Sequence, residues 1–576
     1  MENNYKNLVL GCQNCKHDFI IEPDDFLFYE KIKVPPPTFC PECRLIRRLV
    51  FRNERSLYKR NCDLCGKEKI LIYSKGSHYK VYCYDCFFSE GWNPLSYGID
   101  YDFSKTFFDQ YKELSDNFPK LGIVRQGLNV NGEYTNRVSD SKNCYLIFGS
   151  NKNENCYYGV SFWDSKDSID CYNLRKSEKC TECIDCYNCN SLKYSKECNG
   201  CLDSWFLTNC RNCQNCFGCF NLRNKNYFIY NEQYTKEEYF NKIKELELTN
   251  RDNLQNLKEK VQKESIKYIF PSIVEHHAID VSGNWIENSK NIKSAFNCDN
   301  VENGKYLFGI TDAKDIMDYT YWGRASELMY EINSVGRQCS SVFFASECWE
   351  QLLNSEYCIN CFSSANLFGC IGLKKKQYCI LNKQYTKEEY EILIPKIKQH
   401  MIDMPFIDKA GRVIKYGEFF PCDMTPFAYN ETIAQEYFPK TKEQAVKEGY
   451  RWIDVDKKSY VPTIMGVDLE KDISKVRDDI INEVIGCIHQ GDCNHQCTVA
   501  FKIIPDELQF YRANNIPIPT LCPNCRHYER LSIRNPIKLW HRKCMNEGCP
   551  NEFETSYAPD RPEIVYCEKC YQQEVN

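Results

Sequence analysis

Cysteine pairs near both ends of the chain have the residue type and spacing of metal ligands. The opening set is Cys12, Cys15, Cys40, Cys43, Cys62, Cys65, Cys83 and Cys86. The closing set is Cys493, Cys497, Cys522, Cys525, Cys544, Cys549, Cys567 and Cys570. A short turn presents two thiolates to one ion, and a hairpin or loop brings back the second pair. Each half therefore predicts two ribbon-like sites, or about four Zn(II) per chain at four ligands each.

Two closing pairs have longer turns than Cys-x-x-Cys, and disulfides are the alternative to metal. His495 or Cys487 can replace a ligand near Cys493, so that quartet stays open. The first residues, MENNYKNLVLGCQNC, lack the basic region, apolar core and cleavage site of an export signal. No apolar run reaches the roughly 18 residues that a bilayer requires. We therefore expect a soluble cytoplasmic protein with reduced thiols.

The sequence around the pairs is duplicated and rich in arginine. A shift of 482 residues aligns Arg44, Arg48 and Arg52 with Arg526, Arg530 and Arg534. Residues 44–60 carry a net charge of +6 and residues 526–543 one of +5, in a chain whose total is −5. Guanidinium groups match phosphate oxygens, so these six arginines are candidate contacts to RNA or to an RNA–protein assembly such as the ribosome. The alternative is that they pair with acidic groups of this chain or with a protein partner.

Between the ribbons, 20 of the 38 cysteines recur at short intervals. Cys171, Cys180, Cys189 and Cys198 are nine residues apart, and asparagine often precedes a cysteine. A nine-residue coil, or an 18-residue coil of two such intervals, predicts a parallel β-solenoid with small cysteines inside and asparagine at left-handed corners. The run Cys210, Cys213, Cys216, Cys219 also has a ferredoxin-like spacing, which leaves an iron–sulfur cluster or extra zinc as the alternative to a buried packing ladder.

The middle is duplicated as well, with a shift of 151 residues. Each copy ends at the sequence QYTKEEY, where Thr235 and Thr386 are predicted to N-cap helices. A third capped helix is predicted after Thr441. The predicted organisation is an N-terminal zinc-ribbon pair (1–90), a linker (91–133), a first solenoid (134–232), a helical cap (233–270), a second solenoid (271–383), a second cap (384–403), an aromatic connector (404–486) and a C-terminal zinc-ribbon pair (487–576).

Four phrases carry a resemblance to a known family: CPECRLIRRLVFRNERSLYKRNCDLCGKE, NCYLIFGS, FGCFNLRNKNYFIYNEQYTKEEY and GEFFPCDMTPFAYNETIAQEYFP. Together they resemble a large family of cysteine-rich zinc-ribbon and β-solenoid proteins from ultra-small candidate-phylum bacteria. The resemblance spans nearly the whole chain and implies a cytosolic bacterial protein. It implies no activity: members sometimes carry an acyl-CoA-transferase label, which no segment here supports.

Common enzyme motifs do not occur in the sequence. It contains no Walker loop, no GxGxxG after a strand, no GxSxG and no HExxH, and it has nine histidines. We therefore expect a mostly β, multidomain, non-enzymatic zinc protein that binds RNA through its ribbons and uses the solenoids as a rigid scaffold. A metal or thiol reservoir or redox protein, or an enzyme whose site is assembled across domains, is the alternative.

Overall fold

A computed structural model describes residues 6–454 and 461–575 of the chain. It is mostly β, with ribbons near both ends and two solenoids between them. The ribbon hairpins pair Leu8–Gly11 with Asp18–Ile21, Tyr58–Asn61 with Glu68–Leu71, and Trp540–Lys543 with Glu552–Thr555. The short strand Ile485–Gly486 pairs with Ala500–Phe501 in the remaining ribbon.

The helices of the ribbons repeat between the two halves of the chain. Pro23–Ile32 and Pro41–Leu49 correspond to Pro505–Ala513 and Pro523–Ser532. Each of these four helices has proline in its first turn, where the missing N–H costs no hydrogen bond. The remaining ribbon helices are Tyr84–Phe88 and Glu568–Val575.

The solenoids are stacks of parallel strands, most of them short, and in the second solenoid the 47-residue extended segment Lys290–Gly336 runs through several coils. The strands of the first are Arg125–Gln126, Asn136–Ser139, Tyr145–Asn151, Glu154–Trp163, Lys166–Ile169, Tyr172–Arg175, Ile184–Tyr187, Asn190–Lys193, Leu202–Trp205, Gln214–Phe217 and Asn226–Ile229. Those of the second are Glu275–His276, Ile279–Glu287, Lys290–Gly336, Ser340–Ser346, Leu353–Glu356, Ala365–Phe368 and Gln377–Ile380. The first solenoid thus begins before residue 134, because Arg125 already pairs with Val138.

Each regular coil has twelve residues, so the predicted nine- or 18-residue coil is wrong. Tyr172 pairs with Ile184, and Leu202 pairs with Gln214. A residue with positive φ occurs at nearly every third position of the first solenoid, which turns the backbone at each corner. The coil therefore has four sides of three residues each. Cysteines nine residues apart are separated by three of these sides and not by a complete coil.

Buried cysteines and stacked asparagines hold this narrow coil together. Cys183 is fully buried, and its Sγ–H contacts the carbonyls of Thr181 and Leu192, two and nine residues away. At the corners, the Asn131 amide donates to Asn143, and the Asn143 amide donates to Asn155. Asparagine suits these positions because it tolerates the left-handed conformation. The predicted interior cysteines and asparagine ladders are confirmed.

A capped helix closes the end of each solenoid, as predicted. Thr235 accepts from the Glu238 amide at the start of Lys236–Glu245, and Thr386 accepts from the Glu389 amide at the start of Lys387–Asp403. A second helix, Arg251–Ser265, follows the first solenoid. The segment after the second solenoid contains the short helices Ala434–Tyr437 and Lys442–Lys447, the latter capped by Thr441 as predicted. The helix Phe107–Asn117 lies between the first ribbons and the first solenoid in the chain.

Candidate metal centres

Each terminal half brings its cysteines together in two compact groups. The N-terminal groups are Cys12, Cys15, Cys40, Cys43 and Cys62, Cys65, Cys83, Cys86. The C-terminal groups are Cys487, Cys497, Cys522, Cys525 and Cys544, Cys549, Cys567, Cys570. Within each group the sulfurs all lie within 4.8 Å of one another. The later pair of each group lies at the start of a helix, where the backbone N–H groups favour a thiolate.

The sulfur separations fit a tetrahedral metal ion. Cys15 and Cys40 are 3.7 Å apart, Cys497 and Cys522 are 3.9 Å apart, and Cys549 and Cys567 are 3.9 Å apart. A tetrahedron with Zn–S bonds of about 2.3 Å has edges of about 3.8 Å. All 38 cysteines are free thiols, so the groups are not disulfides. Four thiolates fill a tetrahedral coordination sphere and leave no open position for a substrate.

Backbone amides support the sulfurs in the same way at every group. The amides of Cys40, Cys83, Cys522 and Cys567 donate to the sulfurs of Cys12, Cys62, Cys487 and Cys544 at 3.2, 3.2, 3.3 and 3.2 Å. Hydrogen bonds from Cys40 and Cys43 lower the pKa of Cys12, and those from Cys487, Cys497 and Cys525 lower the pKa of Cys522. The same hydrogen bonds raise the pKa of Cys43 and Cys525, so one thiol of each group ionises at the expense of its neighbours, and a bound metal ion would be needed to hold all four as thiolates.

The third group contains Cys487 where the quartet predicted from sequence contained Cys493. The Cys487 sulfur accepts a hydrogen bond from the Cys522 amide, just as the Cys12 sulfur accepts one from the Cys40 amide. Cys487 is therefore the structural equivalent of Cys12. The turn that spans Cys12 to Cys15 is lengthened between Cys487 and Cys497. Cys493 lies on that longer loop, outside the group of four thiols.

The longer loop builds a second group beside the third. His489, Cys493, His495 and Cys525 have ligand atoms within 4.8 Å of one another, and the sulfurs of Cys493 and Cys525 are 3.8 Å apart. Cys525 thus belongs to both groups. In the N-terminal half the equivalent sulfur, Cys43, instead accepts a hydrogen bond from the Asn14 amide at 3.3 Å. Five groups in the described chain can therefore hold a metal ion, two of them sharing one sulfur.

The six arginines predicted to contact nucleic acid are buried inside the protein. Arg44 and Arg48 bind Asp318 at 2.8 and 3.1 Å, and Arg48 also binds Glu331 at 2.9 Å. Arg52 binds Glu54 and donates to Ser334. Although burial raises the pKa of Glu331, the charges of the neighbouring arginines lower it overall. The six arginines are only 0–6% exposed, which closes them to a phosphate backbone at the protein surface, and one of them, Arg52, borders an internal cleft.

The C-terminal arginines repeat the same contacts on the other solenoid. Arg526 and Arg530 bind Asp170 at 3.2 and 3.0 Å, and Arg530 also binds Glu182. Arg534 binds Asp185 and donates to Asn297 of the second solenoid. The four-residue spacing of the arginines therefore aligns one helix with acidic corners of successive coils. These arginines thus pair with acidic groups of this chain, which was the alternative expectation from the sequence.

The solenoid cysteines form a packing ladder rather than ligand groups. Cys180, Cys183, Cys186 and Cys189 are buried, and their S–H groups lie against backbone carbonyls of the same solenoid. Burial raises the pKa of Cys186 and Cys339 to about 11 and that of Cys298 to about 12. Within residues 6–454 and 461–575, no solenoid cysteines come together as a group of metal ligands.

Comparisons with known proteins do not assign the chain to a family or a function. No protein-family model matches the chain, and no curated protein sequence matches it. The chain is similar, over 46% of its length and 71% of that chain, to the crystal structure of a putative acetyltransferase from Desulfovibrio desulfuricans G20. The identity is 12% and the TM-score 0.10, so the likeness carries no argument about function. None of the described helices has the length and apolar character needed to cross a bilayer.

Proposed function

We propose that the protein is a non-enzymatic, zinc-dependent scaffold in which metal-bound ribbons hold two solenoids in one fixed arrangement. One observation carries this proposal. The helices that begin at Cys40 and Cys522 supply both metal ligands and the buried arginines that bind the solenoids. A metal ion at the start of each helix therefore fixes the arginine ladder that follows it. The N-terminal ribbon binds the second solenoid, and the C-terminal ribbon binds the first.

The donor set supports zinc as the metal. Four thiolates in tetrahedral geometry are the usual ligands of structural zinc, and small ribbons depend on the ion for their fold. The hairpin strands of the ribbons are four residues long, so each has little core of its own. Zinc is redox-inert, which suits a fixed structural role better than an iron ion in the same position.

A fifth zinc ion at His489, Cys493 and His495, bridged to the third site by Cys525, belongs to this proposal. The group offers two nitrogens and two sulfurs, a donor set that zinc accepts. The Nδ1 atoms of His489 and His495 are buried and have no hydrogen-bond partner among the described residues. A metal ion would satisfy either of them. The loop that carries these ligands has no counterpart in the N-terminal half.

Two other candidate functions fit the observations less well. A metal or thiol reservoir requires accessible thiols, whereas the solenoid cysteines are buried. An RNA partner, or an RNA–protein assembly, would have to be bound by groups other than the six ribbon arginines, because these are paired inside the chain. The structural role therefore has the most support.

Elemental analysis of the purified chain tests the proposal. We expect four zinc ions in the tetrathiolate groups and a fifth in the bridged group. A Cys186→Ser variant is the matched control, because Cys186 lies in a solenoid interior and should leave the zinc content unchanged. Fewer than two zinc ions per chain would contradict the ribbon sites, and a content well above five would favour a reservoir.

A further inference from the structure

A cleft lies between the two solenoids, away from every metal group. Its volume is about 360 Å³, within the range of small-molecule sites. One wall comes from residues 124–187 of the first solenoid and the other from residues 297–349 of the second. The duplicated middle of the chain thus provides both walls, and the cleft exists only where the two copies face each other.

Cations outnumber carboxylates in this cleft. The charged lining residues are Arg52, Arg125, Arg137, Arg175, Lys176, Arg324, Arg337, Asp164, Asp299 and Glu347. Of the cations, Arg125, Arg175, Lys176 and Arg324 have no ion pair with any described residue. The Arg137 side chain is only 8% exposed, and its Nε has no partner in the described chain although Glu347 binds its other nitrogen. Buried, incompletely paired guanidinium groups favour an anionic ligand.

Aromatic rings alternate with these cations. The Arg324 guanidinium lies 5.6 Å from the centre of the Trp163 ring, across the cleft from its own solenoid. The Arg337 guanidinium lies 5.7 Å from the Trp322 ring. Trp349 also lines the cleft, 6.2 Å from Trp322 between ring centres. Flat aromatic faces beside guanidinium forks suit a ligand with both a planar ring and a phosphate.

The second solenoid departs from its twelve-residue coil at this wall. Gly336 pairs with Trp349, and Trp349 with Phe362, each across thirteen residues. Two consecutive residues have positive φ at Arg337–Gln338 and again at Glu350–Gln351, and the run from Tyr321 to Ala325, which contains Arg324, has positive φ throughout. The coils return to twelve residues where Phe362 pairs with Lys374. The added residue therefore stacks Arg324 above Arg337 in the wall of the cleft.

Two arginines stacked in this way repel each other. Burial and the charge of Arg337 both lower the pKa of Arg324. Glu350 binds Arg337 at 3.1 Å, whereas Arg324 has no such carboxylate in the described chain. A bound phosphate would relieve this repulsion, because it would place an anion between the two guanidinium groups.

We propose that the cleft between the solenoids binds a nucleoside phosphate, with its phosphate at Arg324 and Arg337 and its base against the tryptophans of the wall. The inference goes beyond the scaffold role and does not depend on the identity of the metal. The volume of the cleft suits a single nucleotide and is too small for a folded nucleic acid.

Titration of the full-length, metal-loaded protein with nucleoside monophosphates tests this inference by calorimetry and tryptophan fluorescence. We expect a monophosphate to bind at least about tenfold more tightly than the matching nucleoside or inorganic phosphate. Arg324→Gln should weaken binding by about tenfold or more, since a charged hydrogen-bonding partner is lost. The control is Lys290→Gln, an exposed cation on the same strand Lys290–Gly336 and outside the cleft, which should bind like the parent protein.

Three results would overturn the inference. The first is unchanged affinity in a folded Arg324→Gln variant, with folding checked by thermal unfolding. The second is equal affinity for inorganic phosphate, since the aromatic wall would then have no role. The third is binding of a short single-stranded RNA without binding of any monophosphate. A purified parent protein that contains no zinc would instead contradict the scaffold proposal. The failure of one proposal can therefore be distinguished from the failure of the other.

Discussion

The histidine pair beside the third metal group decides how many ions the C-terminal ribbon holds. In a His489→Ala, His495→Ala variant we expect the zinc content to fall by one ion while the four tetrathiolate groups stay filled. The reason is that the loop group shares a single ligand, Cys525, with the tetrathiolate group. The histidine changes leave Cys487, Cys497, Cys522 and Cys525 in place. Metal analysis together with thermal unfolding measures both effects.

The N-terminal half supplies the internal control for this prediction. The Asn14 amide donates to the Cys43 sulfur there, and no second group of ligands forms beside Cys43 among the described residues. An Asn14→Ala change should therefore leave the zinc content unchanged. A histidine variant that keeps all its zinc would show that the loop group holds no ion.

At the residue scale, most ligands could be predicted from their spacing, whereas Cys487 could be named only as an alternative to Cys493. The spacing Cys-x-x-Cys identifies its ligands directly, because a tight turn brings the two sulfurs together. Cys487 is separated from Cys497 by a loop that contains another cysteine, so spacing alone favoured Cys493. A usable signal existed: Gly11-Cys12 and Gly486-Cys487 both end a short strand. The alignment of that strand, rather than the distance to the next cysteine, identifies the ligand.

Under the proposed function, two helices transmit metal binding to the solenoids, because each carries both ligand cysteines and buried arginines. Arg48 lies one helical turn beyond Cys43 and Arg44, and it contacts two buried carboxylates, Asp318 and Glu331. In an Arg48→Met variant we expect a loss of about 3–5 kcal/mol in the free energy of unfolding, because the carboxylates keep their desolvation cost without full pairing. Denaturant unfolding measures the change.

Lys538→Met is the matched control for Arg48→Met. Lys538 binds Glu42 at 3.1 Å, but the two side chains are 50% and 46% exposed. A pair in water contributes about 0–1 kcal/mol, so this variant should unfold nearly like the parent protein. Equal losses in the two variants would contradict the structural role of the buried arginines. The zinc content should stay the same in both, since neither residue is a ligand.

At the element scale, the sequence predicted the solenoid but not its coil. Intervals of nine residues are frequent because every third residue of the coil points inward and can be cysteine, so nine residues are three sides and not a complete turn. The length of one side appears in the three-residue interval of Cys180, Cys183, Cys186 and Cys189, which occupy all four sides in succession. The capped helices were predictable since Thr235 and Thr386 act through local hydrogen bonds. The contacts of Arg44 and Arg526 could not be predicted, because Asp318 and Asp170 lie 274 and 356 residues away along the chain.

The whole molecule has a crossed arrangement, with each terminal ribbon bound to the more distant solenoid. Arg44 of the first ribbon contacts Asp318, and Arg526 of the last contacts Asp170. Arg55 donates to Asn524, which connects the two ribbons directly. The two ribbons therefore lie next to each other, and each contacts the duplicated middle of the chain. Charge explains the pairing: the two basic segments complement acidic corners in an otherwise acidic chain.

Thiol reactivity distinguishes the two classes of cysteine across the whole molecule. In the zinc-loaded protein we expect a thiol reagent to label the solenoid cysteines slowly, because they are buried. Burial also raises the pKa of thiols such as Cys186 to about 11, whereas hydrogen bonds from neighbouring thiols lower the pKa of Cys144 and Cys213, which are protected by burial alone. A thiol whose pKa lies well above neutral pH stays protonated, and the protonated form is a poor nucleophile.

Removal of zinc should expose the ribbon thiols first. Under the proposed function the ribbons depend on their ions, whereas the solenoids are held by strand ladders and buried side chains that need no metal. After a strong chelator, we expect rapid labelling of the terminal cysteines and continued slow labelling between Cys144 and Cys379, followed by mass spectrometry of the labelled peptides. Heating past the unfolding transition should then label the remainder and serves as the positive control. Rapid labelling of ten or more solenoid cysteines while zinc is still bound would contradict the packing ladder and favour a reservoir.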